Sequence, residues 1–289
     1  MQSYALIIRV KYFKILLYKM KRLFISGLYF ILCILTSSVT TGLEDDNILP
    51  QSYGIFHSLQ SVLETLKDVH ELFLIPEVKK VYDNQFKTVP SVLPRVGRKA
   101  FIVIEGVKGI GKSATSRIFA KMINGTYLRS PLPSLIDIRS SLITQQPRLI
   151  RSAFHALNNY VIAEHIKELT KTTAVIMDQY WHGLTAFALA KLAGIPHHLP
   201  DKNSNIYCFP GDLLQPDVTY LITVRDEKRL FRLPDTGRPA VSKVFSDTIH
   251  KAYLLMREPN LISINGDRSR NDVETDLIHS TLELCSDLL

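Results

Sequence analysis

Apolar positions along this chain change their period twice. From Ile55 they fall at Ile55, Phe56, Leu59, Val62, Leu63, Leu66, Val69, Phe73 and Leu74, the spacing of an amphipathic helix. Pro76 and the Pro90–Pro94 stretch mark its exit. From residue 100 onward, short β-rich runs alternate with longer helical patterns. Strands are predicted at Ala100–Glu105, Thr126–Arg129, Thr173–Asp178, Asp217–Val224 and Leu261–Asn265. Helices are predicted from Gly111 to about Met122, from Arg148 to about Leu169, and after Asp178 to about Ala193. Further helices are expected near Asp226–Leu233, over about Val241–Arg257 and at the C-terminus, with a polar loop at Pro234–Pro239. Such alternation implies an α/β fold, a parallel sheet covered by helices on both faces.

Residues 1–43 have a different texture. They carry Arg9, Lys11, Lys14, Lys19, Lys21 and Arg22 and no Asp or Glu, and residues 23–35 are an uncharged apolar run. Three readings remain open: a mitochondrial presequence, the apolar region of a secretory signal, or a membrane anchor, for which 13 residues are short. The segment also explains the charge. The chain has 289 residues and a net charge of +8, of which all but +2 lies in these residues. A nucleic-acid partner for the folded part therefore loses its main support. With 46% hydrophobic residues, the rest can bury a core, and three scattered cysteines suit neither a disulfide framework nor a zinc ribbon. The expected organisation is a targeting presequence or anchor over 1–43, a linker and helical lead-in over 44–98, and one α/β domain over 99–289.

The strongest chemical signal is Gly106-Val107-Lys108-Gly109-Ile110-Gly111-Lys112-Ser113, followed by Ala114. It matches G-x-x-x-x-G-K-[ST] between a predicted strand and a predicted helix. Glycines let backbone N–H groups turn toward phosphate oxygens, and the following helix presents its positive end to the anion. Lys112 suits the β- and γ-phosphates of ATP, and the Ser113 hydroxyl suits Mg²⁺. Asp178, at the tip of TAVIMD, is a second candidate Mg²⁺ ligand; helix capping is its plainer reading.

Four segments together resemble the thymidylate kinase family: the phosphate loop, PRLIRSAFHALNNYVIAEHI (147–166), VIMDQYWHG (175–183) and DLLQPDVTYLITV (212–224). The likeness covers about residues 70–288. It implies a P-loop NTPase fold with three α/β/α layers and a parallel five-stranded sheet, preceded here by a helical extension. It also implies phosphoryl transfer from Mg-ATP to a pyrimidine nucleoside monophosphate under a mobile lid, and it favours mitochondrial import for the N-terminus. By position, Phe154 would stack on the pyrimidine, and Asn158 and Asn159 would read its edge. Arg139 and Arg151 would hold the acceptor phosphate as guanidinium forks. Tyr180 and Trp181 would wall the pocket, and Arg232 and Arg238 would neutralise the transferred group from the lid. The bland readings are core packing for Phe154 and solvated polar faces for the amides and arginines. The sequence leaves the oligomeric state open, a homodimer being one option, and does not separate CMP, UMP or dTMP as acceptor.

Three departures from the family pattern stand out. Lys108 occupies a position that is usually acidic and near the acceptor sugar. The usual Asp-Arg pair reads Asp178-Gln179, and the lid at Leu233–Pro239 is short. Each lost phosphate contact would cost roughly tenfold to several hundredfold in rate. One basic residue gained near one lost suggests the hypothesis that Lys108 compensates by reaching the anion the missing arginine would have held; without such compensation the expectation is a weak or inactive enzyme that still binds nucleotide.

Overall fold

The computed structural model describes residues 50–85, 91–225, 242–256 and 261–289. The chain divides into Met1–Ile48, outside the described residues, and one compact unit, Leu49–Leu289. The helix expected near Asp226–Leu233, the loop at Pro234–Pro239, Arg232 and Arg238 also lie outside the described residues.

Five parallel strands form one sheet: β1 (Phe101–Glu105), β2 (Thr126–Arg129), β3 (Val175–Asp178), β4 (Val218–Thr223) and β5 (Leu261–Asn265), in the order β2-β3-β1-β4-β5. β1 is buried along its whole length, as a central parallel strand must be when both faces are covered. The strand alternation divides the core in two. Phe101, Val103, Val175, Met177 and Leu221 face one apolar cluster, and Ile102, Ile104, Ile176, Tyr220 and Ile222 face the other.

The helices are α1 (Leu59–Leu66), α2 (Pro76–Asp83), α3 (Lys112–Met122), α4 (Ile136–Ser141), α5 (Arg148–Leu169), α6 (Trp181–Ala193), α7 (Lys243–Leu255) and α8 (Arg270–Cys285). Residues of α1, α2, α5, α6 and α7 fill the first cluster; α3 and α8 close the second. Serines start several of them. Ser58, Ser242 and Ser269 each accept a backbone N–H from the first turn, and Ser269 forms a full capping box with Asp272.

The lead-in departs from its expected form. The single helix expected through Leu74 is α1 followed by a 3₁₀ turn at His70–Leu74. Pro76, read as an exit, instead opens α2 at its first position, where the missing N–H would have had no partner. The lead-in is tied to the main domain by polar contacts. Asp212 accepts from Leu59 N at 2.7 Å and from Tyr160 Oη at 2.6 Å, and Trp181 Nε1 donates to Phe56 O at 3.3 Å. Among the described residues, no helix is long and apolar enough to cross a membrane.

Candidate active site

The phosphate loop leaves the C-terminal end of β1 and enters α3, so its amides lie at the carboxyl edge of the sheet, where open α/β folds place their ligands. Gly106 has φ of 138°, and a Cβ there would meet Ile222 O at 2.6 Å. Gly111 opens α3 at φ of 97°. Both positions therefore require glycine. Lys112 Nζ donates to Gly106 O at 2.7 Å and Val107 O at 3.1 Å. Burial lowers its pKa, while Asp178 and Glu105 oppose that shift.

The register of β1 with β3 pairs Ile104 with Asp178, which carries Asp178 to the loop. Ser113 Oγ donates to Asp178 Oδ2 at 2.5 Å, and Tyr127 Oη donates to the same oxygen at 3.2 Å. The two residues expected to hold Mg²⁺ thus meet across 65 positions of sequence. Two hard oxygen donors suit this ion, which keeps most of its waters and needs few protein ligands. Burial, with Asp178 beside it, raises the Tyr127 pKa.

A cavity of about 510 Å³ opens over the loop. Its lining brings together Gly106, Val107, Lys108, Gly109, Gly111, Lys112, Ser113 and Ala114 with Asp178 and Gln179; Ile110 is buried beneath, in the core. Two of the three departures from the family pattern, Lys108 and Gln179, line this one space. So do Arg129, Phe187 and Phe245, which were not singled out in the sequence. Arg129 arrives because β2 pairs with β3 and sets Arg129 opposite Asp178, a register that periodicity does not encode. Phe187 and Phe245 form an edge-to-face pair at 5.6 Å, with Phe187 half exposed at the mouth. No sequence signal marks Phe187, because its exposure follows only from how α6 packs.

The residues carried over for the acceptor lie elsewhere. Phe154 is wholly buried on α5, so in this conformation its ring shows no face to a base. Asn158 and Asn159 are each 1% exposed, and Asn158 Nδ2 donates to Phe154 O of its own helix at 2.7 Å. The Tyr180 ring packs edge-on against Phe101. Yet Asn158 Oδ1, Asn159 Nδ2 and Tyr180 Oη are all buried without a hydrogen-bond partner among the described residues. Arg139 and Arg151 converge on His155, whose pKa falls to about 4 through burial and these two charges; neither arginine lines the cavity.

Glu105, the last residue of β1, was also missed. It is fully buried between the sheet and the helices, accepting from Tyr180 N, Gly183 N and Tyr253 Oη. A strand-end glutamate beside a phosphate loop reads from sequence as one more strand residue.

A G-x-x-x-x-G-K-S loop at the carboxyl edge of a β2-β3-β1-β4-β5 parallel sheet defines a P-loop α/β protein. No family model matches the chain. Over 208 residues, 69% of its length, the chain is 31% identical to a Homo sapiens protein named UMP-CMP kinase 2, mitochondrial, and it spans 46% of that relative. It is 30% identical over 179 residues to a Methanocaldococcus jannaschii protein named probable thymidylate kinase, covering 60% of this chain and 89% of that one. Among solved structures, a thymidylate kinase from Candida albicans is 18% identical, covers 64% of this chain and 92% of that one, and superposes with a TM-score of 0.46. The chain belongs to the thymidylate kinase family of nucleoside monophosphate kinases.

Proposed function

We propose that the protein transfers the γ-phosphoryl group of Mg-ATP to a pyrimidine nucleoside monophosphate, CMP, UMP or a deoxy form, giving the diphosphate. The observation that carries this reading is the junction of the phosphate loop with the Ser113–Asp178 pair in one cavity that Arg129, Phe187 and Phe245 also line. The loop amides and Lys112 would grip the triphosphate, Lys112 exchanging its two carbonyl partners for phosphate oxygens. Ser113 and Asp178 would hold Mg²⁺, which supplies charge neutralisation across the β- and γ-phosphates. Lys108, Gln179 and Arg129 would orient the acceptor phosphate, with Arg129 standing where the usual Asp-Arg pair leaves a gap. Little covalent work is asked of the protein; positioning and charge do the rest.

The unpartnered polar atoms of Asn158, Asn159 and Tyr180 support a base site behind the cavity. A buried orphan group costs about 1–3 kcal/mol, and a pyrimidine edge would satisfy such groups. In that reading Phe154 becomes accessible only when the acceptor enters. Arg232 and Arg238 keep the lid role that the family likeness implies, and a second copy of the chain stays among the proposed partners. The acid-free N-terminal segment, together with the human relative's being named a mitochondrial kinase, supports import into the mitochondrial matrix; one domain over 99–289 with its helical lead-in remains part of the proposal. Fractionation of a tagged chain tests this: import predicts a shortened, matrix species.

The deciding experiment is a coupled assay of the full chain with CMP, UMP, dUMP and dTMP as acceptors and Mg-ATP as donor. The proposal expects turnover with CMP or UMP or their deoxy forms exceeding that with dTMP. Preference for dTMP would make the protein a thymidylate kinase. ATP binding by calorimetry with no diphosphate from any acceptor would make it an ATP-binding protein that has lost transfer, the outcome expected if Lys108 does not compensate for the arginine replaced by Gln179.

A further inference from the structure

Among the described residues, Glu105 is the one carboxylate buried at the foot of the phosphate loop, and nothing in phosphate binding requires it there. An uncompensated buried charge is costly, so its partners matter. Its Oε1 accepts from Tyr180 N at 2.8 Å and from Gly183 N at 3.1 Å. Tyr180 is the N-cap of α6 and its side chain makes no cap bond. Glu105 therefore caps α6 from a neighbouring strand, taking the Gly183 N–H that a serine or aspartate at position 180 would have served, together with the N–H of Tyr180 itself. Its Oε2 accepts from Tyr253 Oη of α7 at 2.9 Å, and the same tyrosine oxygen accepts from Gly106 N at 3.4 Å.

Between Asp178 and α6 the chain turns through Gln179 at φ of 71°, left-handed for a residue with a side chain. Such a conformation persists only where its surroundings hold it. Two bonds do so: Gln179 N donates to Ile104 O at 3.1 Å, and the next amide, Tyr180 N, goes to Glu105. Gly183 leaves room for the carboxylate, since a Cβ there would stand 2.7 Å from Glu105 Oε2.

We propose that Glu105 is a positioning residue of this site: its carboxylate pins the Asp178–Gln179 turn by capping α6 and, through Tyr253, ties α7 to the first amide of the phosphate loop. It touches no reacting atom. It sets the distance between the Asp178 side of the cavity, the α7 side and the loop, the three walls between which a phosphoryl group would move. The groups facing it are Tyr180 and Gly183 from α6, Tyr253 from α7 and Lys112 from α3, with Asp178 acting on Lys112 and Tyr253 from β3. Burial raises its pKa to about 7, against the pull of the Tyr180 amide, the Tyr253 hydroxyl, the Lys112 charge and the Gly183 amide.

The rate arm of the test rests on the phosphoryl-transfer reading; the exchange arm does not. Glu105→Gln keeps an oxygen for the two α6 amides but removes the charge and turns the Tyr253 contact around. Tyr253→Phe removes only the tether to α7. Expected for Glu105→Gln at neutral pH is a thermal midpoint not below wild type and binding of a non-hydrolysable ATP analogue within about threefold, with kcat at least about tenfold lower, as displaced reacting groups require. Hydrogen exchange should rise at least about fivefold at residues 106–112 and 179–183 in Glu105→Gln, and at 106–112 alone in Tyr253→Phe, with α8 unchanged in both. Wild-type exchange at these residues in both variants overturns the proposal, as does a uniform rise that includes α8. A kcat equal to wild type in Glu105→Gln, in an active enzyme, overturns it too. If wild-type protein transfers phosphate to none of the acceptors, the functional reading falls alone, and the exchange pattern still decides the role of Glu105.

Discussion

Replacing Glu105 with Gln also isolates the energy of a buried charge, and its size can be worked out in advance. The fold lifts the Glu105 carboxyl from 4.5 to about 7, chiefly through burial. A group whose pKa is raised by folding binds its proton more tightly in the native state. Its contribution is then fully present below the unfolded value and is lost as pH climbs through the folded one. At 1.36 kcal/mol per unit, the ionised carboxylate costs the native state about 3 kcal/mol at alkaline pH. About 2 kcal/mol of that loss falls between about pH 5.5 and 8.5. Gln titrates nowhere in this range. Urea denaturation of both proteins across the interval should therefore give a stability difference that grows by about 2 kcal/mol in favour of the variant as pH rises. The histidines do not confuse the result. His155 is held at about 4, and burial lowers His57, so both add stability above their unfolded pKa and lose it as pH falls. They do so equally in the two proteins and cancel in the difference. A difference that stays flat within about 0.5 kcal/mol would refute the reasoning, because it would mean that water already solvates this carboxylate in the native state.

Three further outcomes follow from the geometry. Lys108→Asp should lower kcat/KM for the acceptor by about tenfold or more, measured in the coupled assay; unchanged or faster turnover would show that Lys108 does not stand in for the missing arginine. Asp178→Asn should lower kcat about a hundredfold and raise the Mg²⁺ concentration for half-maximal rate, read by titrating Mg²⁺ at fixed ATP; an unaltered Mg²⁺ profile would return Asp178 to a purely structural role. Arg98 and Asp217 form a nearly buried ion pair, 10% and 7% exposed, and Asp217 also accepts from Phe101 N. Arg98→Ala should cost about 3 kcal/mol by leaving that carboxylate unpaired, whereas Arg95→Ala, which breaks the exposed pair with Asp287, should cost under about 1 kcal/mol; equal losses in urea denaturation would contradict the distinction.

The phosphate loop, the five strands and the place of Asp178 at a strand tip were legible in the sequence. Each depends on a contiguous run whose residue types dictate local backbone: glycines where φ is positive, β-branched residues where both faces are covered, serines where a helix begins. Pro76 was misread because a proline ends one helix and opens another with equal ease, and only packing of α2 on the core chooses. The remaining features join residues far apart in the chain. Arg129 faces the cavity because β2 lies beside β3. Phe154 is buried because α5 turns that stripe toward the sheet, and Glu105 gathers amides and a hydroxyl from helices 75 to 148 positions away. The sequence alone determined where the glycine-rich turn between β1 and α3 lies, since that device is built from neighbouring residues whose backbone conformation is local. Only the tertiary structure decided what surrounds it, because strand order and helix facing settle which distant side chains share one space.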